Sequence, residues 1–383
     1  MRIRAAVLRH PATPIAVEEV ELDPPKEGEV LVRVAAAGVC HSDVRFADGD
    51  LGARRWPMVL GHEGAGVVEE VGSGVSHVAP GDRVVFCFVP PCRQCRQCRA
   101  GRANLCEPAG RAIYRGTLLD GTSRLRLPDG TELQHCLMTA CFAERAVLAA
   151  AGAVPLPNGI PLWQAALLGC AVVTGVGAVR NTAKVEPGAT VCVIGCGGVG
   201  LQVVAGARLA GATRIVAVDR EPAKLEIARG RGATDVVDAT AGETAAAVNK
   251  LTDGGVDYAF EVIGHPETIR LAWDVLRPGA TAVVVGLAPK GAEVTLPAIE
   301  FLSEKSIKGC YYGSSDVAAE LPGLAALVRE GRLELADVVS HVVDLDGIVE
   351  ALDRLRRGEG ARTIVVVDPE LAGPLPHDTG GHR

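Results

Sequence analysis

The chain has 383 residues, 48% of them hydrophobic, and a formal net charge of −7. That length supplies core for two domains of ordinary size. With no basic excess to neutralise phosphates, nucleic acid and an acidic membrane surface are excluded as expected partners, which leaves small-molecule chemistry.

The N-terminal segment Met1-Arg-Ile-Arg-Ala-Ala-Val-Leu-Arg-His10 has no uninterrupted apolar core, so it reads as a first strand and not as a signal peptide. No run is expected to reach the length of a membrane span, and a cytoplasmic location is the expectation. Twelve cysteines in a reducing compartment bind metal more often than they form disulfides, so their spacing carries the argument.

Residues 1–90 are β-rich, with short strands and Gly/Pro turns and no helix-length pattern. Glu29-Val-Leu-Val-Arg-Val-Ala alternates at period two, residues 64–71 form another strand, and Ala79-Pro-Gly-Asp is a turn feeding a further one. Two single donors lie here: Cys40, in Gly-Val-Cys-His-Ser-Asp43, and His62 followed by Glu63, in Leu-Gly-His-Glu-Gly-Ala-Gly66. Taken alone, a single buried cysteine or histidine is more often a satisfied core residue than a metal ligand, so each leaves both readings open.

Cys92-Arg-Gln-Cys95-Arg-Gln-Cys98, then Cys106, puts four thiols on one compact lobe, residues 92–106. Four thiolates satisfy a zinc ion tetrahedrally with no open position, which makes the site structural; disulfides are the alternative, disfavoured by close spacing. Residues 107–160 carry a turn-rich connection at 116–130, expected on the surface. The apolar residues around His135, Cys136 and Leu137 then form either pocket wall or core, ahead of a strand at 143–149. A helix begins at Pro161, with Asn158 as its candidate cap, and carries Cys170 to the junction of the β-rich domain with the next one. A cleft at such a junction would let Cys170 meet Cys40 and His62.

Residues 190–194 are an apolar β-branched run, the pattern of a buried strand, and they lead into Gly195-Cys-Gly197-Gly198-Val199-Gly200 and a helix to about residue 209. Gly195 allows the tight turn, Gly197 lets backbone approach a pyrophosphate, and Gly200 lets the helix lie on the sheet. Asp219 closes the next strand 19 residues past Gly200, where it would accept hydrogen bonds from an adenosine ribose and repel a 2′-phosphate. NAD is therefore expected over NADP, although Arg220 beside it is a residue that can tolerate that phosphate. A glycine turn without ligand is the alternative.

The βα rhythm continues with helices at 222–229 and 266–276 and strands at 256–263 and 280–287. After residue 306 the alternation changes, and a helix near 346–356 with a strand at 363–367 is expected to return to the first domain. The tail from Glu370 is expected to be loosely held, with His377 and His382 in solvent.

In order along the chain, Gly-Val-Cys-His-Ser-Asp, Leu-Gly-His-Glu-Gly-Ala-Gly, the four-cysteine lobe, Asp120-Gly-Thr-Ser-Arg, Gly-Cys-Gly-Gly-Val-Gly, Phe260-Glu-Val-Ile-Gly and Gly360-Ala-Arg-Thr-Ile resemble the zinc-dependent medium-chain alcohol dehydrogenases. The long loop is similar to the plant and animal-type branch, which includes formaldehyde–thiol adduct dehydrogenases. The resemblance implies an α/β protein, with a GroES-like β-rich catalytic domain at 1–171 and 313–383 and a Rossmann doubly wound parallel-sheet domain at 172–312. It implies two zinc ions: a catalytic one on Cys40, His62 and Cys170, with Asp43 and Glu63 close behind, and a structural one on the lobe cysteines. Two thiolates and one imidazole leave a position open for substrate oxygen.

By the same resemblance Ser42 begins a hydroxyl relay. The relay commonly ends in a histidine three residues on, where this chain has Arg45, so water, another group or His41 must finish it. His41, Thr174, Val199, Asp219, Lys224 and Arg362 should touch cofactor, His41 and Arg362 near the pyrophosphate. Ser42, Phe88, Cys136, Leu137, Leu287 and Tyr311 are expected to line an apolar pocket, although Tyr311 and Tyr312 read equally as interface packing. The glutathione-adduct branch carries an arginine at the place of Gly110, with Arg111 next along here. The leading expectation is NAD-dependent oxidation of a primary alcohol, aromatic or medium-chain, or the reverse reaction on its aldehyde. A formaldehyde–thiol adduct dehydrogenase and a non-catalytic NAD-binding protein of the same fold are the alternatives. Related proteins imply a homodimer, with a tetramer as the other possibility.

Overall fold

In the computed structural model, which describes residues 1–51 and 56–376, the period-two stretch at residue 29 becomes the eleven-residue strand Glu29–Val39. Nearly every residue of it is buried, because it pairs antiparallel with Glu63–Val71, with Arg145–Ala149 and with Arg362–Val366. The sheet runs in the order Ala153–Pro155, Arg83–Phe86, Glu63–Val71, Glu29–Val39, Arg362–Val366, Val339–Val343. A closed barrel of Arg2–Leu8, Ala16–Leu22, Leu125–Arg126, Glu132–His135 and Met58–Val59 adjoins it, filled by Ile3, Val20, Leu133 and Val147 among others. These elements make up one unit, Met1–Cys170 together with the chain from Asp316 onward; Ala171–Ser315 forms the second.

Several elements depart from expectation. Residues 1–90 do contain a helix, His41–Asp48, which buries Val44, Phe46 and Ala47 and ends on Gly49 in the left-handed region at φ 81°. At two turns it is too short for helical periodicity to stand out. The 116–130 connection is not a surface loop throughout. It supplies a barrel strand, and Arg124 turns inward to donate to Glu29 Oε1 and Oε2 at 2.6 and 2.9 Å and to Asp120 at 2.7 Å. Buried arginine is held only where carboxylates meet it, and the fork geometry meets one here.

The helix Leu162–Leu167 is capped at Pro161, not Asn158, and opens into a π-helical turn, Leu168–Val172, centred on Cys170. The helical stretch Leu162–Ala183 has 22 residues and a mean hydropathy of 1.8, so a run of membrane-span length does occur; 89% of its apolar window is buried within the protein, as core. A thirteen-residue helix, Val317–Arg329, is not apparent in the sequence because Pro322 and Gly323 interrupt its pattern. The tail is held as far as Pro374: Asp368 caps Pro369–Ala372, and Trp163 Nε1 donates to the Pro374 carbonyl at 2.6 Å. His377 and His382 lie outside the described residues.

The second unit is built on a six-stranded, all-parallel sheet in the order Asp235–Asp238, Arg214–Asp219, Thr190–Ile194, Val256–Glu261, Leu276–Val284, Ser306–Gly309. Strands buried on both faces need continuous apolar runs, and Val191, Val193, Ile194, Val216 and Val218 supply them. Strand order reverses between Thr190–Ile194 and Val256–Glu261.

Candidate metal centres and dinucleotide site

Cys40 follows the end of Glu29–Val39 and caps the helix that begins at His41. His62 precedes Glu63–Val71, after Gly61 at φ 92°, where a Cβ would come within 2.5 Å of the Phe142 backbone nitrogen. Cys170 arrives on its helix because Gly169 lets that helix lie against Arg83–Phe86; a Cβ there would sit 2.7 Å from the Phe86 carbonyl oxygen. The ligand atoms of Cys40, His62 and Cys170 all lie within 4.8 Å of one another, and all three residues are buried. His62 Nε2 is 3.5 Å from Cys170 Sγ.

Asp43 organises this cluster. Its Oδ2 accepts from Cys40 N at 3.1 Å, and its Oδ1 accepts from Gly61 N at 3.2 Å and lies 3.1 Å from His62 Nδ1. The carboxylate therefore favours a proton on Nδ1, so Nε2 is the atom that would ligate once a metal displaces its proton. Burial pushes the His62 pKa down, but the charges of Asp43 and Cys170 outweigh it and hold the imidazole well above its ordinary value. A hydrogen bond from the Cys170 thiol, against the opposing effect of burial, holds Cys40 well below the ordinary thiol range. Two soft sulfur donors and an imidazole fit a zinc ion and leave its fourth tetrahedral position open.

Glu63 and Arg362 lie behind the thiols. Arg362 Nη2 is 3.1 Å from Glu63 Oε2, and Nη1 donates to the Val39 carbonyl at 2.7 Å. A residue expected near a pyrophosphate is thus committed, in this structure, to the buried carboxylate beside the metal cluster. Ser42 Oγ lies 3.8 Å from Cys40 Sγ, His41 is exposed, and Arg45 is paired with Asp50. The Phe88 ring meets His62 edge-on at 5.5 Å. Cys136 is fully buried beside Asp43 and His62, and burial pushes its pKa up to about 11, so it stays a neutral thiol near pH 7. Leu137 is half-buried next to it. In the second unit, Leu287 and Tyr311 are exposed.

The four lobe cysteines bring their sulfurs together, again all within 4.8 Å. All twelve cysteines of the chain are free, which removes the disulfide alternative. Backbone N–H groups point at the sulfurs, Cys92 N to Cys106 Sγ and Cys95 N to Cys92 Sγ, each at 3.3 Å. Hydrogen bonds from the Cys98 and Glu107 backbone lower Cys95 to about 6, whereas burial lifts Cys98 to about 12. Four sulfurs with nothing else within the group suit a closed tetrahedral metal site.

In the second unit the glycine turn has the expected mechanics. Gly195 adopts φ 96°, and a Cβ on Gly200 would sit 1.8 Å from the Gly195 carbonyl oxygen. A Cβ on Gly197 would meet nothing within 4 Å, and no side chain caps the helix Gly198–Leu209. Open space before uncapped N–H groups fits an anionic pyrophosphate. Asp219 braces this turn, its Oδ2 accepting from Cys196 N at 2.6 Å and its Oδ1 from Arg220 N and Glu221 N at 2.8 and 3.0 Å. Thr174, Val199 and Lys224 are half-buried on the same unit. Sequence reasoning does not find the Arg124–Glu29 pair or the buried Glu261; a charged residue at a position where the strand pattern demands an apolar one is the signal that could have found them.

Two thiols and an imidazole that converge, and a separate closed four-thiol lobe, together with a parallel sheet carrying a phosphate-binding turn, define a zinc-dependent oxidoreductase that uses a nicotinamide cofactor. The chain matches the Alcohol dehydrogenase GroES-like domain over residues 26–158 and the Zinc-binding dehydrogenase family over residues 198–330. It belongs to the zinc-containing medium-chain alcohol dehydrogenases, with a GroES-like β domain and a Rossmann domain. It is 39% identical over 368 residues to an S-(hydroxymethyl)glutathione dehydrogenase of Photobacterium damsela subsp. piscicida, covering 95% of this chain and 100% of that one. Among solved structures it resembles an alcohol dehydrogenase zinc-binding domain protein from Burkholderia ambifaria, with TM-score 0.91, 34% identity and coverage of 96% and 99% of the two chains. It also resembles the benzyl alcohol dehydrogenase of Acinetobacter calcoaceticus, with TM-score 0.90, 30% identity and the same coverage.

Proposed function

We propose that the protein oxidises the hydroxymethyl group of an S-(hydroxymethyl) thiol, the adduct of formaldehyde with a thiol, using NAD. The observation that carries this reading is the 39% identity, over 95% of the chain, to an S-(hydroxymethyl)glutathione dehydrogenase. Cys40, His62 and Cys170 would hold one zinc ion and Cys92, Cys95, Cys98 and Cys106 another. When bound, zinc supplies the Lewis acidity that makes the hydroxyl acidic, and the nicotinamide supplies the hydride acceptor.

The chain's own residues orient these groups and move the proton. Asp43 holds a proton on Nδ1 of His62, so that Nε2 is the ligating atom, and Ser42, beside Cys40, takes up the hydroxyl proton as it gives up its own. Arg45, paired with Asp50, has no basic atom to offer, so His41 at the exposed start of the helix passes the proton to solvent. Phe88, Cys136 and Leu137 give the first unit's contribution to the pocket its apolar character. Asp219 supports NAD over NADP.

Gly110 stands in the lobe-following helix Glu107–Arg115, with open space around it where an arginine would be expected for glutathione. The carrier thiol therefore need not be glutathione. The similarity to benzyl alcohol dehydrogenase favours a second reading, oxidation of free primary alcohols. NAD⁺ reduction by zinc-loaded protein with formaldehyde alone, with formaldehyde plus glutathione or other thiols, and with benzyl alcohol decides between them. A strict thiol requirement supports the adduct reading, and turnover of benzyl alcohol alone favours the second. NAD binding without any turnover would indicate a protein that keeps the fold and not the reaction. A homodimer is proposed through the edge strand Ser306–Gly309 and the exposed Ile299, Phe301 and Leu302, to be checked by light scattering.

A further inference from the structure

Glu261 is a fully buried acid that none of the roles above uses. It ends the strand Val256–Glu261, directly opposite Ile194. Strand order reverses between these two strands, and in open parallel sheets a dinucleotide crosses at that point, outside the carboxyl ends of the strands. Asp219 lies on the Thr190–Ile194 side, where the adenosine ribose is expected, so the nicotinamide half falls to the side that Glu261 closes.

The side chain is a clamp. Oε1 accepts three hydrogen bonds, from Ile263 N at 2.9 Å, Gly264 N at 2.7 Å and Thr268 Oγ1 at 2.7 Å. The backbone carbonyl of the same residue accepts from Val285 N and Gly286 N at 2.8 and 3.0 Å. The side chain of Glu261 thereby holds the turn after its own strand, while its backbone carbonyl holds the turn after the next one. Both turns are in close contact with their surroundings: a Cβ on Gly195 would come within 2.6 Å of Ile263 Cγ1, and one on Gly264 within 2.5 Å of the Leu287 backbone. Oε2 is buried without a hydrogen-bond partner. Turns are closed more cheaply by serine or asparagine, so a buried acid with one idle oxygen argues that the placement of this turn matters.

We propose that Glu261 is a positioning residue for the nicotinamide half of the dinucleotide, setting the backbone of Ile263 and Gly264 against Gly195 as the surface on which that half lies. This rests on the reading that the glycine turn binds a dinucleotide. The test measures binding of AMP and of NAD⁺ to wild type, Glu261→Ala, Glu261→Gln and Thr268→Val by calorimetry, with thermal melting alongside.

Glu261→Ala should weaken NAD⁺ by about tenfold or more while AMP stays within about twofold, and Glu261→Gln, which keeps an acceptor, should recover part of the loss. Equal weakening of AMP and NAD⁺, or wild-type NAD⁺ affinity in folded Glu261→Ala, overturns the proposal. If Glu261→Ala does not fold, Thr268→Val, which removes one of the three donors, must show the same selective shift on a smaller scale; no shift overturns it equally. Wild type that binds neither AMP nor NAD⁺ would remove the dinucleotide reading and this proposal with it, whereas binding by wild type with unchanged variants removes only the role of Glu261.

Discussion

Nδ1 of His62 lies 3.1 Å from Oδ1 of Asp43, and neither side chain reaches solvent. One carboxylate thus reaches the loop that carries His62 and, through its other oxygen, the backbone of Cys40. Two donors 22 residues apart in sequence are aligned by a third group. Asp43→Asn removes the charge and one acceptor and should lower zinc affinity at this centre by about 10–100-fold. Chelator competition measures it, with the lobe zinc as internal control. Undiminished affinity would mean that the tautomer of His62 is set by something else.

The lobe is expected to hold structure and not to take part in the reaction. Cys98→Ser should leave one zinc per chain and lower stability by about 2 kcal/mol, a drop of roughly 4–8 °C in Tm. NAD binding should be retained. A variant with one zinc and an unchanged melting curve would reject the structural assignment.

Asp219→Gly deletes the acceptor expected to meet the ribose and also a brace of the glycine turn at Cys196 N. It leaves Arg220 exposed at the same corner. KM for NAD should rise by about tenfold or more and discrimination against NADP should fall. Steady-state kinetics with both cofactors check this, and an unchanged preference would place the determinant at Arg220 or elsewhere.

The His135 ring is buried, with Nε2 accepting from Arg124 N at 3.2 Å, and burial followed by the charge of Arg124 pushes its pKa down to about 3. In the unfolded chain the ordinary value is 6.5. Between these values the unfolded state binds a proton that the folded state refuses, so this contribution is fully present above pH 6.5 and is lost as pH falls toward 3. The slope from one proton approaches about 1.4 kcal/mol per pH unit. In His135→Gln, denaturant unfolding across this range should show a flatter loss; an equally steep loss would clear His135 of the effect.

Local chemistry makes part of this molecule legible in the amino-acid sequence. Cys92, Cys95, Cys98 and Cys106 sit close enough along the chain that their spacing alone brings four sulfurs together. Gly195, Gly197 and Gly200 act within one turn, where backbone sterics operate over a few residues. The parallel sheet is equally readable, because its strands are buried on both faces and so must be continuously apolar. For Cys40, His62 and Cys170 the sequence by itself determined only the donor types and, through family likeness, their grouping.

Their meeting was decided by tertiary structure, through the pairing of Glu29–Val39 with Glu63–Val71 and the close approach that Gly169 permits. The same holds for Arg362 on Glu63, 299 positions apart, and for Arg124 on Glu29. No periodicity marks such partners. A buried charge leaves in the sequence only the oddity of its own presence, and what neutralises it is chosen by which strands happen to lie beside each other once the chain has folded.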